Sequence, residues 1–180
     1  SGTIRTTDAT TAEFVKLIQN AYRDVNIAYA NEVAKLAREF GVDSRDTIAL
    51  ANDHPRVDIL RPGPGVGGHC IPIDPLFLNH QNDIPRLIRT ARDVNDGMVS
   101  YVEQLLSAAL DDLDGTTVTL LGVAYKGGVG DTRESPSLRL ADVLADTNVE
   151  EVRCTDPFVD QDDVRHTLWS LEESLEDADA

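Results

Sequence analysis

The sequence predicts an α/β protein overall, in which an all-α first part is followed by a smaller part mixing strands and helices. Three observations predict it. Before Gly115, apolar residues recur over long stretches at three- and four-residue steps, the period of a buried helix face. A segment dense in proline and glycine, His54 to Cys70, interrupts them where regular structure cannot form. After Gly115 the texture changes to short apolar runs separated by a glycine-rich loop and one more helical stretch.

The first helix is expected from Thr11 to Phe40, with Phe14, Ile18, Ala21, Val25 and Ala28 on its apolar stripe. Thr10 or Thr11 is the expected N-cap, Glu13 favours the positive helix end, and Gly41 is the expected C-terminal stop. Its length suits a bundle or a dimer core. A shorter helix follows Asp43 to about Asn52, and Asp74-Pro75 opens another beyond the irregular segment. From Asp83 to about Leu113 a long connecting helix is expected, striped by Leu87, Ala91, Val94, Met98, Tyr101, Leu105 and Ala109, with Gly97 inside it at some cost. Thr117 to Ala124 reads as a buried parallel strand. Ser135-Pro136 starts a helix ending near Asp146, with proline at its first position, and Glu151 to Cys154 reads as a second strand. This is a βαβ unit, the start of a Rossmann-like sheet; one such unit is a poor sheet alone, so the sheet is expected to be truncated or completed elsewhere. The acidic tail after Asp160 is expected to be helical. The expected division is a helical domain over residues 1–97, the connecting helix at about 83–113, and a partial α/β domain over 114–180.

The 180 residues carry a formal net charge of -16, and Lys16, Lys35 and Lys126 are the only lysines. So acidic a chain repels nucleic acid and anionic membranes, and no apolar run approaches the ~20 residues of a spanning helix. Carboxylates in excess and scarce lysine are read as salt adaptation, that of a halophile. The expected result is loss of the fold on dialysis into low salt, followed by far-UV circular dichroism; a spectrum unchanged there would sink the reading. Two cysteines are no disulfide framework, and a reducing cytoplasm fits them. His54, His69, His80 and His166 lack a metal-ligand spacing.

The run Gly63–Gly68 has the form G-x-G-x-x-G, yet Cys70-Ile71-Pro72 follows it where a dinucleotide site needs a helix to open, and Pro64 removes a backbone donor. Gly122 to Gly128 lacks the Gly-Lys-Ser/Thr ending of a phosphate loop. Cys70, in a glycine-packed turn, is either a small buried apolar residue or a nucleophile that a ligand can approach. Asp74, four residues on, is close enough to accept a proton or orient a water. Lys16 and Asn20 share a helix face; they are either solvated surface residues or a cation and an amide donor suited to an oxyanion.

Three stretches resemble the UDP-sugar 6-dehydrogenases (the UDP-glucose/GDP-mannose dehydrogenase family). Ala12 to Ala28, with Asn31-Glu32, resembles the start of that family's central domain. Gly63-Pro64-Gly65-Val66-Gly67-Gly68-His69-Cys70-Ile71-Pro72-Ile73-Asp74-Pro75 resembles its catalytic-cysteine loop. Gly122-Val123-Ala124-Tyr125-Lys126 with Asp131-Thr132-Arg133-Glu134-Ser135-Pro136 resembles the signature opening its UDP-binding domain.

The resemblance implies NAD-dependent oxidation of a sugar 6-hydroxyl to a carboxylate, with Cys70 forming a thiohemiacetal and then a thioester. It implies that Lys16 and Asn20 stabilise the oxyanion and that Asp74 assists water. Gly67 and His69 would contact substrate, Lys126 and Arg133 the UDP diphosphate, and Arg56 the neighbouring subunit's site, the long helices forming a homodimer. His69 and Ile73 resemble the N-acetylhexosamine branch, and His54 to Leu60 points to UDP-N-acetylmannosamine, with UDP-N-acetylglucosamine or UDP-glucose as alternatives. NAD would be bound mainly by a domain absent from this chain, which by itself is expected not to turn over. The alternative is a non-catalytic remnant for dimerisation and nucleotide-sugar binding.

Overall fold

The structure, a computed structural model, describes residues 4–79 and 86–180. It is helix-rich, with one small parallel sheet, and so α/β as the sequence predicts. His80 and the predicted helix start at Asp83 lie outside the described residues.

Helix α1 (Ala9–Glu39) is long, and Asp8, not Thr10 or Thr11, caps it: its carboxylate accepts from Thr11 N–H at 2.9 Å and Thr11 Oγ1 at 2.7 Å. A carboxylate at this position satisfies orphan donors and suits the positive helix end. Gly41, at φ 69°, turns the chain out, and Val42 N–H closes on the Ala37 carbonyl at 2.9 Å. The predicted apolar stripe splits in two. Ala21 and Ala28 are buried, Phe14 and Ile18 are exposed, and the buried face is completed by Asn20, Asp24, Asn31 and Ala37. Small side chains let α1 lie close to its neighbours, so polar groups there must find partners inside.

Asp43 caps α2 (Ser44–Asn52), and α3 (Asp74–Asn79) is short. The predicted long connecting helix is two: α4 (Arg86–Asp96) and α5 (Met98–Ala109), parted at Gly97. The ladder nearly continues, since Gly97 N–H reaches the Asp93 carbonyl at 3.0 Å and Gly97 O accepts from Tyr101 N–H at 3.1 Å. Glycine is a recognised place for such a break. It lets the two pieces serve different cores. α4 packs on α1, whereas Val99, Val102 and Leu106 of α5 pack with Leu113, Val118, Leu140 and Leu144 of the α/β part. α5 ends at Ala109, short of the predicted Leu113.

Strands β1 (Thr117–Leu121) and β2 (Glu151–Thr155) pair in parallel, Thr117 opposite Glu151 and Leu121 opposite Thr155. β1 stops three residues before the predicted Ala124, because Gly122 turns away at φ 95°. Between them runs α6 (Pro136–Ala145), capped by Ser135 with proline at its start, as the sequence predicts. The tail is mostly not helical. After a short turn at Gln161–Asp163, Leu168 forms a parallel bridge with Cys154, and Trp169 N–H donates to the Cys154 carbonyl at 2.8 Å. Only α7 (Leu171–Leu175) is helical, and the chain then returns along β1, with Asp179 N–H on Thr117 O at 2.9 Å and Thr119 N–H on Ala180 O at 2.8 Å. Both flanks of the sheet are thus partly covered, which satisfies edge groups a two-stranded sheet leaves open.

Candidate active site

Asn20 is buried on α1, one turn after the exposed Lys16. Lys16 Nζ donates to Asn20 Oδ1 at 3.3 Å, and Asn20 Nδ2 donates to a carboxylate oxygen of Asp74 at the start of α3. Fifty-four residues separate Asn20 and Asp74 in sequence. The cation, the amide and the carboxylate therefore form one hydrogen-bonded row, as the motif spacing alone could not say.

Cys70 lies on the turn entering α3. Its carbonyl accepts from Ile73 N–H at 3.2 Å and Asp74 N–H at 2.8 Å, which ties the thiol's backbone to the carboxylate's. Its side chain is exposed, while Cys154 is sealed in the α/β core. Burial, with the Asp142 charge adding to it, pushes the Cys154 thiol up to about 11, so that sulfur stays protonated and inert. Of the two readings of Cys70, the buried apolar one is excluded.

The glycines before Cys70 meet the α/β part at close range. A Cβ on Gly67 would lie 2.6 Å from the Glu134 carbonyl oxygen, 2.8 Å from Tyr125 Cβ and 2.9 Å from Pro136 Cδ. Gly68, at φ 88°, sits under the Tyr125 ring, and its N–H donates to the Arg133 carbonyl at 2.9 Å. The sequence reading attributed these glycines to ligand access; what the structure shows is that they let two segments, 63–70 and 125–136, touch backbone to backbone. Glu134 adopts φ 50° at this contact, an uncommon conformation for a residue with a side chain.

The start of the loop is held by residues that sequence reasoning missed. Gly63 N–H donates to Asn31 Oδ1 at 2.9 Å, and Asn31 Nδ2 donates to Asn95 Oδ1 at 2.9 Å. Asn95 Nδ2 in turn donates to Asp24 Oδ1 at 2.8 Å and the Asp24 carbonyl at 3.0 Å. Arg92 pairs with Asp24 at 2.5 Å and with Asp96 at 3.1 Å. Asp24, Asn31, Asn95 and Arg92 are all buried. Burial raises the Asp24 carboxyl above its ordinary range, opposed by the Arg92 charge and the Asn95 hydrogen bond. A signal existed: Ala21, Asp24, Ala28 and Asn31 follow each other at helical steps, and polar residues spaced among alanines mark a buried polar face.

The other predicted residues are less tightly gathered. Arg133 forms a fork on Asp131, with Nε at 2.9 Å and Nη2 at 2.5 Å, and this pairing holds the Asp131 carboxyl down at about 2, the His69 charge adding a little. Arg133 is likewise raised by Asp131, with smaller contributions from Tyr125 and Cys70, so His69, Cys70 and Arg133 lie within electrostatic reach of one cluster. Lys126 is exposed on the loop after β1, and no hydrogen bond or ion pair engages it among the described residues. Arg56 sits in the turn after α2, its backbone N–H on His54 Nδ1 at 3.3 Å, and no described bond joins it to the Cys70 cluster.

Neither nucleotide-like loop is built to cradle a dinucleotide. Gly63–Gly68 has no strand before it, and α3 opens only at Asp74. In the βαβ unit the acidic residue just after β2 would be the one to bind a ribose hydroxyl. Here that residue, Asp156, is occupied: its Oδ2 accepts from Val123 N–H at 2.9 Å and Ala124 N–H at 3.1 Å, and its Oδ1 from Phe158 N–H at 2.9 Å. Burial works to raise its carboxyl, and these three donors outweigh that and leave it low. Asp156 instead braces the loop that carries Tyr125 and Lys126. Among the described residues, no group of three or more His, Cys, Asp or Glu side chains could hold a metal ion, and no helix is long and apolar enough to cross a membrane.

Residues 10–97 match the family model described as the UDP-glucose/GDP-mannose dehydrogenase family, central domain, and residues 119–180 match that family's UDP binding domain. A UDP-N-acetyl-D-mannosamine dehydrogenase of Methanocaldococcus jannaschii is 50% identical over 179 residues, which is 99% of this chain and 41% of that protein. An NDP-N-acetyl-D-galactosaminuronic acid dehydrogenase of Ralstonia nicotianae is 43% identical over 85% of this chain and 36% of that protein. The solved structure of the UDP-D-ManNAc dehydrogenase from Pyrococcus horikoshii superposes with a TM-score of 0.88 at 47% identity, covering 99% of this chain and 43% of that one. The chain thus spans about two fifths of the length of these relatives.

Proposed function

The chain belongs to the UDP-glucose/GDP-mannose dehydrogenase family, and from that premise we propose that it carries the thiol site of a UDP-sugar 6-dehydrogenase acting on UDP-N-acetylmannosamine. The observation that carries the proposal is the hydrogen-bonded row Lys16–Asn20–Asp74 leading to the turn on which the exposed Cys70 sits. The 50% identity to a UDP-N-acetyl-D-mannosamine dehydrogenase supports the choice of sugar.

In this reading the C6 hydroxyl first loses a proton and a hydride to become the aldehyde; the Cys70 thiolate adds to that C6 aldehyde, and the new C–S bond leaves a tetrahedral oxyanion. The Lys16 ammonium and the Asn20 amide stabilise that charge. Loss of a hydride from C6 converts the thiohemiacetal into a thioester. Asp74, held by Asn20, takes the proton of an attacking water; the C–S bond breaks, and the carboxylate and free thiol are released. The two-electron oxidant in this reading would be NAD, held mainly by a domain outside this chain. Lys126 and Arg133 face the diphosphate; Arg133 is steered by Asp131 in a fork that leaves its other side open. Gly67 and His69 line the sugar side, and Arg56 serves a neighbouring subunit's site.

Further parts of the proposal are a helical domain over residues 1–97, an α/β UDP-binding domain over 114–180, and a homodimer through the central helices. Phe14, Ile18, Tyr22, Tyr29 and Leu36 of α1, with Phe40 at its C-cap, are exposed at mostly helical spacing, an apolar face of the kind that marks an association surface. The proposed protein is oxidoreductive, takes part in nucleotide-sugar metabolism and polysaccharide biosynthesis, and works in the cytoplasm.

The test is an assay of the complete gene product with NAD and, in separate reactions, UDP-N-acetylmannosamine, UDP-N-acetylglucosamine and UDP-glucose. The expected outcome is two NADH per uronate formed, with kcat/KM for the mannosamine substrate at least about tenfold above the others, the size of a single well-made discriminating contact. NADH from none of the three, in a dimer that still binds UDP, would turn the reading into that of a non-catalytic nucleotide-sugar-binding protein.

A further inference from the structure

We propose that Asn31 and Asn95 are positioning residues for Cys70: the pair transmits a fixed orientation from the buried Asp24–Arg92 ion pair to the Gly63 N–H and so holds the start of the thiol loop. The role in catalysis rests on the function proposed for Cys70; the relay itself does not.

An amide side chain has one donor end and one acceptor end, so a row of amides has a direction set at its termini. At the inner end Asn95 faces two acceptors, the carboxylate and the carbonyl of Asp24. Only its NH2 end fits there, and its oxygen must point outward. That oxygen faces Asn31, which presents its own NH2 end and is left with its oxygen free for the loop. Gly63 N–H completes the row. Were Asn95 turned round, its oxygen would face both Asp24 oxygens and two nitrogens would meet at Asn31, in a fully buried site where unmet polar groups are costly. Arg92 secures the inner end by pairing with Asp24 on one side and Asp96 on the other, and Arg139 of α6 also reaches Asp96 at 3.5 Å. The row thus joins α1, α4 and the loop. The far end of the loop is held separately, through Gly68 and the Arg133 carbonyl. With both ends pinned, the seven-residue step from Gly63 to Cys70 has little freedom.

The test compares two variants at a position whose side chain hydrogen-bonds to Asn31 and Asp24 and to neither Gly63 nor Cys70, its backbone carbonyl beside Gly65 being kept in both. In Asn95→Leu the acceptor that orients Asn31 is gone. In Asn95→Asp it is kept, and two carboxylates in one buried site share a proton that bridges to Asp24. Amide hydrogen exchange of Gly63, referred to Val118 in β1 to correct for global stability, is expected to rise at least about tenfold in Asn95→Leu and to stay within about threefold in Asn95→Asp. In the assay of the complete gene product, Asn95→Leu lowers kcat about tenfold and leaves KM for the UDP-sugar within about twofold, the mark of a displaced reacting group and not of lost binding. Equal exchange in the two variants, or exchange at Gly63 that merely follows Val118, overturns the relay. Altered exchange with unaltered kcat keeps the relay and removes its catalytic role. If Asn95→Leu does not fold, scalar coupling across the bond from Gly63 15N to the Asn31 side-chain carbon, measured in the unmodified chain, decides: its absence overturns the proposal.

Discussion

Replacing Cys70 by serine is expected to abolish formation of the uronate, with kcat for NADH release falling by at least about a thousandfold, the range seen when a covalent nucleophile is removed. The serine hydroxyl is nearly isosteric with the thiol and equally exposed, so the fold and the UDP-sugar affinity should hold. What changes is acidity and nucleophilicity: a thiol is far more acidic than an alcohol and gives a thiolate nucleophile, and a hydroxyl does not. Without the thiolate there is no thiohemiacetal to oxidise and no thioester to hydrolyse. Measured by NADH absorbance and by mass spectrometry of the sugar nucleotide, the variant should yield no acid. Cys154→Ala is the internal control. Cys154, on β2, is sealed in the α/β core beside Ala141 of α6, with its thiol pushed up to about 11, so its removal should affect packing and leave the chemistry in place. Full activity in Cys70→Ser would end the covalent mechanism, and loss of activity in Cys154→Ala alone, with the fold intact, would move the nucleophile to the wrong half of the molecule.

Arg92→Met should cost about 3–5 kcal/mol of stability, the range for removing one partner of a buried ion pair. Methionine fills much of the arginine's volume, so the loss is electrostatic more than steric. Asp24 would keep a buried charge without its cation, and its Oδ2 already lacks a hydrogen-bond partner. The variant should also carry a pH signature. Burial has raised the Asp24 carboxyl, and Arg92 now opposes that rise. Without Arg92 the folded-state value climbs further above the unfolded one, so the folded state binds the extra proton, and stability falls as pH rises through that window. The deficit relative to the parent chain should therefore be smaller at about pH 4 than at about pH 7. Urea unfolding at the two pH values, followed by circular dichroism, measures both effects. A midpoint unchanged by the substitution, or a deficit that grows toward acid, would show that the pair does not bear on folding as argued.

Much of the fold was legible because it is local. The Ser135 cap with Pro136 after it, the stop at Gly41, and the apolar runs of β1 and β2 each depend on residues a few positions apart. The errors share one cause. Periodicity finds apolar residues but not what they face, so it groups Phe14 and Ile18 with Ala21 and Ala28 although the first two are exposed. In sequence Gly97 is a tolerated defect within one helical pattern, and only the separate packing of α4 and α5 makes it a joint. The acidic tail reads as helical from sequence, whereas its ends bond to Cys154 and Thr117 over long sequence distances.

The sequence by itself determined the inventory of the site: a cysteine in a glycine turn, a lysine and an asparagine one helical turn apart, and a carboxylate four residues beyond the thiol. Side-chain chemistry and short spacings suffice for that. Which of these groups meet was decided by the tertiary structure alone. Asn20 reaches Asp74 across 54 residues, Gly67 needs its missing side chain because Glu134 and Pro136 press on it, and the Asp24–Asn95–Asn31 row exists only where α1, α4 and the loop converge. A hydrogen bond needs atoms about 3 Å apart, and for residues this distant in the chain that proximity comes from packing, which no local pattern of residues encodes.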